Sequence, residues 1–196
     1  AATAEATWRT ATLLEELGHH VEEVPAPVPD SFPDDFLLYW ATLAGVLVAG
    51  GRRNHGRTFD RSRLDPLTTG LARHAARSAH RIPGAIARLR RSTALAERFH
   101  ERWDVSLTPT LGSATPPIGH LSPEPGYEQV MERLMDWVVF TPWQNATGAP
   151  AVSLPLAMTP DGLPLGMMLA AAPGREALLL ELSYELEQAH PFPTLA

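Results

Sequence analysis

The 196-residue chain has no lysine; all sixteen of its basic residues are arginine. It has no cysteine either, which excludes a disulfide framework, a thiolate metal site and a cysteine nucleophile. Continuous apolar runs are short. Residues 37–39 and 46–49 fall far below the ~20 residues that a membrane helix requires. The opening Ala1-Ala2-Thr3-Ala4-Glu5 has neither a basic nor an apolar region, so no secretory signal is expected. With no cysteine to protect or to pair, a reducing cytoplasm is the expected compartment. Glycine-rich phosphate loops, a dinucleotide fingerprint, the H-E-x-x-H helix and the G-x-S-x-G elbow are all missing. The eight histidines never reach the i, i+4 spacing at which two imidazoles share a metal on one helix. They read as surface and loop residues, and neither a metal nor a cofactor is expected.

What is present is a chain with 44% hydrophobic residues, enough to bury a core. The formal charge of −6 argues against a general nucleic-acid binder. Charge is unevenly placed, however. Residues 52–102 hold thirteen arginines against four acids, a local balance of +9, and the remainder carries −15. Arg73, Arg77, Arg81, Arg88, Arg91, Arg98 and Arg102 could line helices and bind an anion. Aromatics are not interleaved among them for base stacking, so a solvated helix face is the better account.

Periodicity predicts a helix over 3–17, with Trp8, Ala11, Leu14 and Leu17 on one side. A short strand is expected over 19–24, closed by Pro25, then a proline-rich extended loop. A second helix is expected from about Asp34 to the Gly50-Gly51 pair, and a third over 66–82, stopping before Pro83-Gly84. A further helix covers 85–103, a buried strand 105–108, a loop 115–126 and a helix 127–139. Residues 151–158 alternate, Thr159-Pro160-Asp161-Gly162 supplies a turn, and 163–171 returns, which predicts a β-hairpin. A last helix runs over 175–189, with Leu178, Leu182, Leu186 and Ala189 inward and Glu181, Glu185 and Gln188 outward. Strands and helices interleave, so the class is α/β or mixed α+β, with no linker between two domains.

Phe140-Thr141-Pro142-Trp143-Gln144-Asn145-Ala146-Thr147-Gly148-Ala149-Pro150-Ala151-Val152-Ser153-Leu154-Pro155 resembles the F-T-x-x-x-N-x-T-G-x-P-A-x-S-x-P run of amidase signature hydrolases. Asp161-Gly162-Leu163-Pro164-Leu165-Gly166 is similar to that family's D-G-L-P-x-G turn. Glu176, Leu178-Leu179 and Glu187 resemble its closing helix. Upstream, Trp103-Asp104-Val105-Ser106-Leu107-Thr108-Pro109-Thr110 resembles its T-P-T strand, with Pro116-Pro117-Ile118-Gly119 following. Leu14-Glu15-Glu16-Leu17-Gly18-His19-His20-Val21 is similar to its L-E-x-L-G-H-x-V segment. The five blocks stand in the family's order across nearly the whole chain.

The resemblance implies an α/β fold, namely the C-terminal part of the amidase signature fold, a mixed β-sheet flanked by helices. Residues 1–196 would then be the C-terminal portion of a single amidase domain whose N-terminal catalytic portion is absent. The family hydrolyses or transfers acyl groups from amides with a serine nucleophile, a second serine in a cis peptide and a lysine base. All three lie N-terminal to the matched blocks, so no catalytic residue is assigned here. An isolated serine without a positioned base is a weak nucleophile. By resemblance the chain supplies walls of the acyl pocket, with Trp143 and Asn145 as candidate substrate-facing residues on the loop before the 151–158 strand. Tyr39 and Trp40 are candidates from the second helix. For all four, core packing or loop satisfaction is the competing account. Met168 stands where the family often has glutamine, and Ala171 where it often has glycine, which leaves the substrate class open. The region before the T-P-T strand lacks the tyrosines and lysines usual in the tRNA-dependent amidotransferase subunit, which favours a free-standing amidase. A scaffold that has lost catalysis stays open as well. Expected partners are an N-terminal amidase half or a second copy, together with a small-molecule amide. Trp8, Trp40 and Trp137 are the side chains expected to meet that half.

Overall fold

A computed structural model describes residues 2–192 and places them in two compact units. The first lies within Ala1–Val28, Ser92–Pro116 and Trp137–Ala196, the second within Pro29–Arg91 and Pro117–Asp136.

In the first unit three strands form one sheet. They are β1 (Val105–Pro109), β2 (Ala151–Met158) and β3 (Pro164–Ala171), in the order β1-β3-β2. The expected hairpin is present, and the expected strand at 105–108 joins the same sheet. Both ladders are antiparallel, so the parallel pair that a mixed sheet implies is not found among the described residues. Directly opposed residues share a face. Leu107, Leu169 and Val152 thus lie on one side with Pro109, Met167 and Leu154. That side packs against helices α1 (Ala2–Glu16) and α7 (Glu176–Ala189), where Leu14, Leu179, Leu182 and Leu186 complete the core. The inward stripe of α7 is Leu179, Leu182 and Leu186, rather than the predicted one. Leu178 is half-buried and Ala189 exposed.

Residues 19–24 form neither helix nor strand. Their side chains hold them instead: His19 Nε2 lies 3.1 Å from Glu185 Oε2 on α7, and Val21 packs onto the core. Val21 and Val24, three residues apart, are half-buried and no ladder forms.

In the second unit α2 (Phe32–His55) packs against α3 (Pro66–Arg77) through Ala41, Ala44, Leu71 and Ala75, with Met131 of α5 (Tyr127–Trp137). The Gly50-Gly51 pair does not end α2, which continues one full turn further. The bare Cα of Gly51 faces the Phe59 ring, into which a Cβ would run. Arg52, Arg53 and His55 then suit the negative end of the helix dipole. Pro83-Gly84 likewise opens a helix where a stop was expected: α4 spans Ile82–His100, and proline is at home in a first turn, whose N–H has no partner anyway. Although its continuous apolar runs are short, α2 as a whole is long and apolar enough to match a membrane-spanning helix by length and composition. Its exposed side carries Tyr39, Leu43, Val46 and Leu47.

Near its start α2 holds Asp35, only 3% exposed, in a two-pronged ion pair with Arg88 of α4. Nε donates to Oδ2 at 2.7 Å and Nη2 to Oδ1 at 2.6 Å. The Arg88 hydrogen bonds hold the Asp35 carboxyl below its ordinary pKa, with help from Ser31 and against the opposing effect of burial. Removing Arg88 strands a buried carboxylate, so Arg88→Ala should lower unfolding stability by about 2–4 kcal/mol in urea titrations. Because the folded pKa of Asp35 is depressed, the pair stabilises fully above the unfolded value near ~4 and fades as pH falls through the folded value. The stability difference between the parent chain and Asp35→Asn should therefore shrink steadily below about pH 4. A second position tests packing. Gly70 of α3 abuts the Tyr127 side chain, and Gly70→Ala should cost about 1–3 kcal/mol.

Candidate functional site

The second face of the sheet differs chemically from the first. Opposite the apolar core lie Ser106, Thr108, Ser153, Met168 and Ala170, and the two-residue period adds Thr110 and Gly166. Four hydroxyl residues thus share this face with Ala151, Gly166, Met168 and Ala170.

At its end Thr110 Oγ1, directly after β1, and Ser153 Oγ of β2 approach to 2.6 Å, although β3 separates the two strands. Such an approach requires nothing to project between them. Gly166 is the residue between, and a Cβ there would meet Ser153 Oγ at 2.7 Å and Thr110 Oγ1 at 2.8 Å. Both are shorter than real side chains tolerate. The glycine is thus explained by close approach rather than by an unusual backbone angle.

The loop that carries Thr110 is fixed at three points. Thr110 N–H donates to Gly166 O at 2.9 Å, Gly112 N–H to Trp137 O at 2.8 Å, and Thr3 Oγ1 to Gly112 O at 3.2 Å. Beside it lies a solvent-open cavity of about 270 Å³ lined in part by Thr3, Thr110, Ser113, Thr115 and Ser153, of which Ser113, Thr115 and Ser153 are exposed. Leu111, Pro155 and Pro164 supply the hydrocarbon wall. Three segments of the chain converge here: the T-P-T strand through Thr110, the A-x-S-x-P strand through Ser153 and Pro155, and the turn strand through Pro164 and Gly166.

Three buried polar atoms in this unit have no hydrogen-bond partner among the described residues. They are Thr108 Oγ1, Trp137 Nε1 and Gln144 Oε1. Thr108 lies on the hydroxyl face, one period from Thr110.

The segment expected to be a loop before β2 is a helix, α6 (Thr141–Thr147). Pro142 sits in its first turn and Gly148 at its C-cap. Trp143 and Asn145 are both on it, but they do not face alike. Trp143 is buried, whereas Asn145 is exposed. Tyr39 is 40% exposed on α2, and Trp40 is half-buried against the cluster formed with α3. These two belong to the second unit and the α6 pair to the first. Of the other tryptophans, Trp8 is 57% exposed and Trp137 half-buried. Among the described residues no three His, Asp or Glu side chains gather in a way that could hold a metal ion.

Thr110, Ser153 and Gly166 were each inside a family-like block, yet nothing in their spacing alone singled them out. The detectable signal was the hydroxyl at alternate positions of 106, 108 and 110, opposite a small residue in the hairpin.

Comparison with known proteins agrees with these blocks. Residues 1–180 match the family model described as Amidase. Over 187 residues the chain is 59% identical to the Mycobacterium tuberculosis protein named "Putative amidase AmiC", covering 95% of this chain and 39% of that one. It is 30% identical over 195 residues to the 6-aminohexanoate-cyclic-dimer hydrolase of Paenarthrobacter ureafaciens, with 93% and 39% covered. A solved structure of 6-aminohexanoate cyclic dimer hydrolase complexed with substrate superposes with a TM-score of 0.84 at 28% identity, covering 97% of this chain and 42% of that one. The chain thus spans about two fifths of the length of these relatives. With its family model matched across residues 1–180 and its sheet built from the family's blocks, the chain belongs to the amidase family.

Proposed function

We propose that the chain works as part of an amidase that hydrolyses a carboxylic amide bond, linear or cyclic, by way of an acyl-enzyme. The observation that carries this reading is the match of residues 1–180 to the amidase family, with relatives named as a putative amidase and as a 6-aminohexanoate-cyclic-dimer hydrolase. The serine nucleophile, the second serine and the lysine base would come from polypeptide outside these 196 residues, because the chain contains no lysine. Its own contribution is the ordered three-stranded sheet, the hydroxyl face and the helix carrying Trp143 and Asn145. Trp143 and Asn145, and Tyr39 and Trp40 on α2, remain proposed contributors to the walls of the substrate site. The partner is the remainder of an amidase domain, and the compartment we propose is cytoplasmic.

One feature supports completion by further polypeptide: among the described residues β1 and β2 are edge strands, and unpaired edges recruit further strands.

The experiment is a replacement. Residues 1–196 are exchanged for the matched segment of the Mycobacterium tuberculosis relative, and hydrolysis of short aliphatic amides and anilides is followed at neutral pH. The expected result is turnover by the chimaera, none by the 196-residue chain alone, and loss of turnover when the lysine base of the remaining portion is changed to alanine. Hydrolysis by the chain alone, abolished by one serine-to-alanine change within it, would overturn the proposal.

A further inference from the structure

Asp161-Gly162, in the turn between β2 and β3, is the chain's single Asp-Gly pair, and neither asparagine precedes a glycine. Both residues are exposed. Such a pair is chemically fragile, because glycine has no side chain to keep its amide nitrogen away from the aspartate carboxyl. The Gly162 nitrogen can bond to Cγ of a protonated Asp161, its hydrogen leaving with the carboxyl OH as water, and so close a five-membered succinimide. Water then reopens the ring. Attack at Cγ restores aspartate. Attack at the main-chain carbonyl breaks that carbon's bond to nitrogen and leaves the chain running through the side chain, one backbone atom longer.

The folded turn opposes each requirement of this reaction. Gly162 N–H donates to Thr159 O at 3.0 Å, which engages the hydrogen that must leave. Thr159 is itself buried and fixed: its N–H donates to Leu163 O at 2.7 Å, and its Oγ1 accepts from Leu163 N–H at 2.9 Å. A hydroxyl that accepts in this way still has its own hydrogen to donate. The Asp161 carboxyl receives it, and that bond, helped by the backbone of Asp161, holds the carboxyl below its ordinary pKa against a slight opposing effect of burial. Ionised, the carboxyl would have to expel oxide rather than water, so the favoured form is the unreactive one.

We propose that Asp161 is a modification site, the place where this chain isomerises its own backbone, and that Thr159 guards it by holding both reacting groups in the closed turn. The added atom would fall between Thr159 and Leu163, the pair that closes the turn beside the Met158–Pro164 step of the ladder. The chemistry is the same whether or not the chain works within an amidase.

The test ages the 196-residue chain in warm neutral buffer and measures isoaspartate at each site by peptide mass spectrometry with electron-based fragmentation, which separates the two linkages. The folded chain should isomerise at Asp161 about tenfold more slowly than the same chain unfolded in guanidinium, since the turn must open first. Thr159→Val keeps the branched shape and removes the hydroxyl, and should speed the reaction roughly 3- to 10-fold in the folded chain. Asp30, exposed before Ser31, should keep its parent rate in that variant. Thr159→Ser should return Asp161 to the parent rate. Equal rates in the folded and unfolded chain, or a Thr159→Val variant that ages no faster than the parent, would overturn the proposal. So would Asp161 and Asp30 speeding up together, which would mark general loosening rather than a lost guard, and so would failure of Thr159→Ser to restore protection.

Discussion

The first unit depends on one strand being hydrogen-bonded on both edges. β3 pairs with β1 along one side and β2 along the other, and its residues 167–171 are all buried. Because side chains alternate strictly along a strand, this double pairing sorts every neighbour onto one of two faces. One face receives Leu154, Met167 and Leu169 and closes against α1 and α7. The other receives Ser106, Thr108, Thr110 and Ser153. A slip of a single residue in either ladder would exchange those sets, placing hydroxyls in the core and leucines on the candidate site. The apolar packing of the first face thereby fixes the chemistry of the second.

Gly166 shows how local that constraint becomes. It sits on the central strand between Thr110, just past the end of β1, and Ser153 of β2, and the absence of its side chain lets their hydroxyls touch. The sheet brings the three family blocks together, and the missing side chain at Gly166 leaves the space in which the two hydroxyls meet. The second unit is organised differently. Its core is small, with Ala41, Ala44 and Ala75 between closely packed helices, and Asp35–Arg88 ties the start of α2 to α4. Close helix approach through alanine and glycine leaves large apolar residues, Leu43, Val46 and Leu47, on the outer side.

Much of the first unit could be read from residue patterns, because its elements obey a single clean period. The hairpin, β1 and α7 followed from alternation and 3.6-residue spacing, and the family from five ordered blocks. The failures came where a local signal had a tertiary answer. Residues 19–24 look like a strand closed by Pro25, yet they pair with no strand and only Val21 packs, half-buried, against the core. Gly50-Gly51 looks like a stop, yet the ring of Phe59 uses the space that Gly51 leaves. Pro83-Gly84 looks like a break and is the first turn of α4. The run from Phe140 to Thr147 reads as loop because it is short and flanked by prolines, and it forms one capped helix. The candidate site was the least legible part, since Thr110 and Ser153 lie 43 residues apart and meet only through the register of both ladders.

That meeting can be measured directly, because the chain contains no cysteine. Thr110→Cys and Ser153→Cys together place two thiols where the hydroxyls now stand 2.6 Å apart, within reach of a disulfide across Gly166. Under mild oxidation the double variant should close an intramolecular bond rapidly and completely, shown by mass spectrometry as loss of both thiol hydrogens. A control that combines Ser153→Cys with Leu107→Cys, on the opposite face, should stay reduced. If the 110–153 pair stays reduced, or closes no faster than the control, the register that builds the hydroxyl face is wrong, and the account of the site goes with it.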